Sequence, residues 1–283
     1  MRWPPYRHVF FDCDSTLTAV EGIDALAALA GRAGRVRLLT EAAMNGEREL
    51  SEVYSRRLRA LKPTRGQVQA LRAIYKRHVV PDAKALLAAL NFLGHQVYIV
   101  SGGLAEAVVE FGLFLGVPAG HIRAVGVAYN SLSGNWWRTD GGPAGAADSY
   151  LSHPPQELTA GNGKAETVRQ LLADSAGQAL LVGDGASDLA AAAAVDLFVG
   201  FGGVVARQSV AQAAPAYIGS ASLAPVLALA AGPAALERLA GTPHAPLAGR
   251  CQALIDQGAL TFNDERLGAK FERAYQAVHS RAD

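Results

Sequence analysis

The chain has 283 residues, half of them hydrophobic, and a formal net charge of +1 at neutral pH. That supports a substantial core, as one large domain or as a core with an inserted module. The small net charge argues against a polyanion binder driven by counterion release, so no nucleic-acid partner is expected. Cys13 and Cys251 lie far apart and outside any C-x-x-C pattern, which speaks against a disulfide scaffold or a zinc site and for a reducing compartment. The first five residues carry no apolar leader and the longest apolar stretch, from Leu223 to Gly232, is too short to cross a bilayer, so a cytoplasmic protein without a membrane partner is expected.

The first apolar run, His8 to Phe11, ends in Asp12-Cys13-Asp14-Ser15-Thr16. Two carboxylates at the tip of a buried strand cost several kcal/mol each if unpaired, about 3–5 in the worst case. They are either solvated turn residues or they face a compensating cation. Cys13 between them reads as a small apolar filler. From Ala19 to His78 runs an insertion with apolar residues at helical spacing, Ile23, Leu26, Leu29 and Ala30, and Pro63 as its one proline. It reads either as a helical cap over the strand tips or as a crossover elaborated for stability. Between Gly31 and Arg77 the chain holds twelve Lys and Arg against four Glu. This excess is either a solvated helical face or a field that attracts anions.

Further strand-like runs follow at Gln96 to Val100, Ala179 to Val182 and Val195 to Val199, each ending in glycine or polar residues. Strands alternating with helices point to a parallel sheet whose ligands gather beyond the carboxyl ends of the strands. The tips carry Ser101-Gly102-Gly103, which reads as a helix start, then Gly183-Asp184-Gly185-Ala186-Ser187-Asp188, and Gly200-Phe201-Gly202-Gly203. Between the second and third runs, residues 130 to 163 form a long Gly, Pro and Ser-rich loop around Trp136-Trp137, a pair that packs on its own surface or on another subunit. Lys164 opens a helix, where the positive macrodipole end disfavours a cation, so it is either a solvent-exposed lysine or one whose charge meets a phosphate. The tail beyond Ala224 is alanine-rich and ends in a helix capped by Asn263 or Asp264, with Leu267, Phe271, Tyr275 and Val278 in one stripe. That stripe packs on the core or serves a homodimer.

Taken together, Asp12, Asp14, Ser101, Lys164, Asp184 and Asp188 are the groups that phosphoryl transfer from a monoester requires. Asp12 suits a nucleophile and Asp14 an acid and then a base. The Asp12 carboxylate, the Asp14 backbone carbonyl and Asp184 offer Mg²⁺ hard oxygen ligands. Ser101 with the N–H groups of Gly102 and Gly103 suits the phosphoryl oxygens.

These motifs, in this order and spacing, resemble those of the haloacid dehalogenase-like phosphatases. Glu21-Gly22-Ile23-Asp24, Ala43-Met44-Asn45-Gly46-Glu47, Leu61-Lys62-Pro63-Thr64-Arg65 and Val199-Gly200-Phe201-Gly202-Gly203 with Arg207-Gln208 are similar to signatures of the phosphoserine phosphatases within that superfamily. The resemblance spans about Arg7 to Ala224. It implies a small-molecule phosphomonoester substrate, with Glu21 receiving an ammonium, Arg57 pairing with a carboxylate, Met44 lining the pocket, Ser187 near the substrate and Asp188 supporting the site from behind. An acid and an arginine fork together suit an α-amino acid.

The expected fold is therefore α/β: a Rossmann-like parallel sheet core over 1–18 and 79–224, a helical cap over 19–78, and a helical extension over 225–283. The expected reaction is Mg²⁺-dependent hydrolysis of O-phospho-L-serine through an aspartyl-phosphate. Transfer to an alcohol, another small phosphorylated substrate, or a phospho-acceptor switch stand as alternatives.

Overall fold

The computed structural model describes residues 3–34, 36, 50–130, 147–152, 157–159, 162–173 and 175–279. Met44 and the Trp136-Trp137 pair lie outside the described residues. The strands are β1 (His8–Phe11), β2 (Gln96–Leu104), β3 (Ile122–Val125), β4 (Ala128–Asn130), β5 (Ser149–Ser152), β6 (Ala179–Gly183), β7 (Leu197–Phe201), β8 (Ala216–Ile218) and β9 (Leu260–Phe262). Seven of them form one sheet in the order β3-β2-β1-β6-β7-β8-β9, and β4 pairs with β5 apart from it. Every pairing in the large sheet is parallel except β8 with β9.

The four apolar runs form strands because each is buried along nearly its whole length, as a sheet covered on both faces demands. Side-chain alternation divides them between two cores. Val9, Phe11, Ile99, Leu180 and Val182 face one layer, while Phe10, Tyr98, Val100, Leu181 and Phe198 face the other. Burying each Phe contributes about 1.5–3 kcal/mol. β7 starts two residues later than the run Val195 to Val199 suggests, because the Asp196 carboxylate leaves the strand to accept from the Ala179 N–H at 2.8 Å. The chain builds outward from β1 through β2 and β3, then returns to the other side of β1 with β6. That reversal opens a crevice above the carboxyl ends of β1 and its neighbours.

Between β1 and β2 lie helices α1 (Gly22–Leu29), α2 (Leu50–Leu61) and α3 (Arg65–Arg77), followed by α4 (Ala83–Phe92). Thr64 starts α3 through a reciprocal capping box, with Gln67 N–H donating to its Oγ1 at 3.2 Å and its own N–H donating to Gln67 Oε1 at 2.9 Å. Val68, Leu71 and Tyr75 form the buried face of α3. Its outer edge meets α5 (Ala105–Phe114) through ion pairs of Arg65 with Glu106 at 3.2 Å and of Lys76 with Glu110 at 2.7 Å. The two connections into and out of this helical segment run side by side, with Ala19 N–H donating to His78 O at 2.8 Å and Val80 N–H donating to Leu17 O at 3.0 Å.

Beyond the long loop come α6 (Gly163–Leu172), α7 (Ala186–Ala190) and α8 (Gln208–Ala213). The tail forms α9 (Val226–Ala231), α10 (Ala234–Arg238), α11 (Ala245–Asp256) and α12 (Glu265–His279). It is not helical throughout, since β9 closes the sheet edge in antiparallel pairing with β8. Three residues are too few to show a strand period, so only the pairing partner reveals this strand. Asp264 caps α12 by accepting from the Arg266 and Leu267 N–H groups at 2.9 and 3.0 Å. Phe271 of its apolar stripe meets Trp3 edge-on with ring centroids 5.1 Å apart, so the stripe packs on the chain's own core. Among the described residues, no helix is long and apolar enough to cross a membrane.

Candidate active site

The tip of β1 is locked to β6 before the charges begin, because Asp12 N–H still donates to Val182 O at 2.9 Å. Adjacent strand ends therefore bring Asp12 beside Asp184, although 171 residues separate them in the chain. Asp188 joins them from the first turn of α7, and ligand oxygens of all three buried acids lie within 4.8 Å of one another. Gly183 permits this approach: a Cβ there would stand 2.2 Å from Asp188 Cγ.

Lys164, buried on α6, places Nζ 2.8 Å from Asp12 Oδ1 and 2.5 Å from Asp188 Oδ1. The anionic partners that a lysine at a helix start calls for are thus the protein's own carboxylates. Burial opposes its charge, but Asp12 and Asp188 overcome that, and the ammonium titrates above the ordinary lysine value. Asp184 is pushed up to about 7, first by burial and then by repulsion from Asp12 and Asp188. One of its oxygens accepts from Thr16 Oγ1 at 3.2 Å. The other, Oδ2, is buried and accepts no hydrogen bond among the described residues; the charge of Arg207, with Nη2 3.0 Å away, compensates it. An under-satisfied buried carboxylate oxygen in an all-oxygen acidic cluster fits a hard divalent cation.

Asp14 points the other way. Its Oδ2 accepts from the Gly22 N–H and its Oδ1 from the Tyr75 hydroxyl, both at 2.7 Å. A Cβ on Gly22 would lie 2.1 Å from the Tyr75 hydroxyl oxygen, so glycine is required where the helical segment closes on Asp14. Burial, followed by the Glu21 charge, pushes Asp14 up to about 7 against those two hydrogen bonds. Acids two positions apart on one loop thus differ in environment, one held by a cation and one kept close to its protonated form. Cys13 is buried between them, and burial first, then the flanking carboxylates, raise its thiol well above the usual range. Both effects disfavour the thiolate.

A cavity of about 220 Å³ opens above these groups. Asp12, Asp14, Glu21, Arg57, Ser101, Gly102, Gly103, Lys164 and Ser187 line it, with Ile23, Leu26, Leu71 and Leu104 as apolar walls. Asp184 and Asp188 are buried at its base beside Asp12. Ser101 and the two glycines do not begin a helix. β2 continues through them to Leu104, with a register shift against β3 between Val100 and Leu104, and α5 starts at Ala105. The irregularity lifts this segment toward the cavity while the Gly103 N–H donates to Ser101 Oγ at 3.0 Å.

Tyr75 and Arg207 are the functional neighbours that sequence reasoning leaves out of the site. Tyr75 falls on the helical stripe Val68, Leu71, Tyr75 and so reads as core; its hydroxyl gains a role only once α3 lies over β1. Arg207 sits in a motif singled out with the glycines after β7, which marks the loop without showing where its side chain goes.

Residues 9–193 match the model of the haloacid dehalogenase-like hydrolases. The chain is similar to phosphoserine phosphatase of Homo sapiens, 34% identical over 212 residues that cover 74% of this chain and 88% of that protein. It is likewise 33% identical to phosphoserine phosphatase of Mus musculus over 211 residues, covering 74% and 88%. A solved phospho-aspartyl intermediate analogue of phosphoserine phosphatase superposes with a TM-score of 0.61 at 23% identity, over 79% of this chain and 98% of that one, which supports the fold. With the match running from β1 past α7, and so through Asp12, Lys164 and Asp184 alike, the chain belongs to the haloacid dehalogenase-like hydrolases.

Proposed function

We propose that the protein hydrolyses O-phospho-L-serine to L-serine and phosphate, with Mg²⁺ as cofactor and Asp12 as nucleophile. The observation that carries this reading is one small cavity with a lysine-held carboxylate at its base and both Glu21 and Arg57 in its wall. A phosphorylated α-amino acid presents a dianion, an ammonium and a carboxylate, and this cavity offers a partner for each. The names of the similar proteins agree with it.

In the first step a carboxylate oxygen of Asp12 forms a bond to phosphorus as the bond from phosphorus to the serine oxygen breaks. Asp14, held near its protonated form, gives its proton to the departing oxygen. In the second step Asp14 takes a proton from a water that bonds to phosphorus, the bond from Asp12 to phosphorus breaks, and phosphate leaves. Lys164, with Nζ 2.8 Å from Asp12 Oδ1, orients that carboxylate for attack. Asp12, Asp184 and the Asp14 backbone carbonyl would hold Mg²⁺, which supplies neutralisation of the phosphoryl oxygens when bound. Asp188 acts through Lys164 and the Gly185 N–H, which it accepts at 3.0 Å. Ser101, Gly102, Gly103 and Ser187 receive the phosphoryl group, and residues 19–78 serve as the cap that reads the amino acid. The setting is the cytoplasm, where the buried free thiols Cys13 and Cys251 stay reduced.

A panel of phosphate esters assayed with Mg²⁺, with and without alcohol acceptors, tests this directly. Phosphoserine is expected to give the highest kcat/KM, and Arg57→Ala to lower it for phosphoserine far more than for an aryl phosphate. Equal losses on both esters would remove the amino-acid reading, and a phosphoenzyme that persists for minutes would replace hydrolysis with a switch.

A further inference from the structure

The loop after β7 delivers one cation that the reaction above does not use. Arg207 stands at the N-terminal boundary of α8, and its Nη2 lies 3.0 Å from Asp184 Oδ2 and 3.1 Å from Glu21 Oε1. A single nitrogen therefore bridges two carboxylates from different parts of the chain. One is the acid assigned to the divalent cation and the other the acid assigned to the substrate ammonium. Lys164 is committed to Asp12 and Asp188. Among the described residues, the charge opposite Asp184 Oδ2 is that of Arg207. The Arg207 side chain is 30% exposed, against 3% for Asp184, so the arginine has an open route to solvent and the carboxylate does not.

A divalent cation on Asp184 Oδ2 would stand close to the Arg207 guanidinium, and repulsion between the two would weaken the hold of each on that oxygen. We propose that Arg207 is the counter-cation shared by Asp184 and Glu21, and that it releases Asp184 when a divalent cation binds there and Glu21 when an ammonium binds there. Because the same nitrogen serves both acids, releasing it for one ligand removes part of the cost of binding the other. Cation and amino acid are thereby coupled through one side chain, with a reciprocal effect on each affinity. The ammonium half of this coupling rests on the proposed substrate; the half at Asp184 does not.

The test is a pair of calorimetric titrations on the full chain, wild type and Arg207→Gln. With Mg²⁺ alone, the variant is expected to bind about tenfold tighter or more, the worth of a close charge contact. The chelated variant should also melt below the chelated wild type, with the gap closing at saturating Mg²⁺. With L-serine, wild type is expected to bind about fivefold tighter or more when Mg²⁺ is present, and the variant to show no such gain. Mg²⁺ affinity that is equal or weaker in the variant overturns the proposal. Mg²⁺ that weakens L-serine binding in wild type, as simple repulsion between two cations would, overturns the coupling. Absence of L-serine binding under every condition sinks the substrate reading and with it the coupling, while the Mg²⁺ titration still decides the role at Asp184.

Discussion

The two ends of the parallel sheet are built from the same strands and follow opposite rules. At the amino end three polar rings meet backbone carbonyls among the described residues: Trp3 Nε1 donates to Leu229 O at 2.8 Å, His95 Nδ1 lies 2.6 Å from Tyr6 O, and His121 Nδ1 lies 3.0 Å from Val97 O. Burial lowers the His95 pKa, so that imidazole stays neutral there. At the carboxyl end Asp12, Asp184 and Asp188 crowd together with one buried lysine, and Asp184 keeps an oxygen without a hydrogen bond among the described residues. One end is satisfied and contributes stability. The other is left short of positive charge, which costs stability and makes a binding site.

Four substitutions bear on this contrast, from the largest effect downward. Asp12→Asn should lower turnover of phosphoserine by about a thousandfold or more, as loss of a nucleophile does. Its thermal midpoint should hold or rise, since one of three mutually repelling acids becomes neutral; a large loss of stability would show that the acid end is structural. Trp3→Ala breaks the opposite end. Removing the ring that meets Phe271 and Lys270 should destabilise the fold by about 3–5 kcal/mol in urea titration, with kcat/KM per folded molecule unchanged.

Asp14→Asn sharpens the contrast through pH. The folded-state pKa of Asp14 is raised from 3.8 to about 7, so between those values the folded chain holds a proton that the unfolded chain has lost. The stability tied to that proton is present at low pH and fades as pH rises through about 7. Melting in chelator should therefore show the variant gaining on wild type as pH is raised from about 4 to about 7, and parallel curves would remove the raised pKa. The smallest effect belongs to Glu110→Gln on the rim of the helical segment. Half-exposed pairs such as its contact with Lys76 are worth about 0.2–1 kcal/mol, so stability should barely move, and the little that is lost should vanish at high salt.

Much of the acid end was legible before any coordinates. Asp12 and Asp184 each stand at the end of an apolar run and Lys164 at the start of a helix, and strand ends converge by construction in a parallel sheet. Their chain order and types point to phosphoryl-transfer chemistry. The amino end was almost silent, because Trp3, His95 and His121 carry no pattern and acquire partners only when distant backbone carbonyls arrive. β9 was hidden for a similar reason, being three residues long and defined by β8 alone.

The sequence by itself determined which groups could react, since periodicity places residues at strand tips and residue type sets their acidity and charge. Tertiary structure decided how those groups differ from one another. Asp12 and Asp14 are identical side chains two positions apart, yet one faces Lys164 and the other is sealed against Tyr75 and Gly22. Arg207 reaches Asp184 and Glu21 only because three separate loops end at one place. Coulomb energies and burial depend on distances through space, and chain spacing does not contain them.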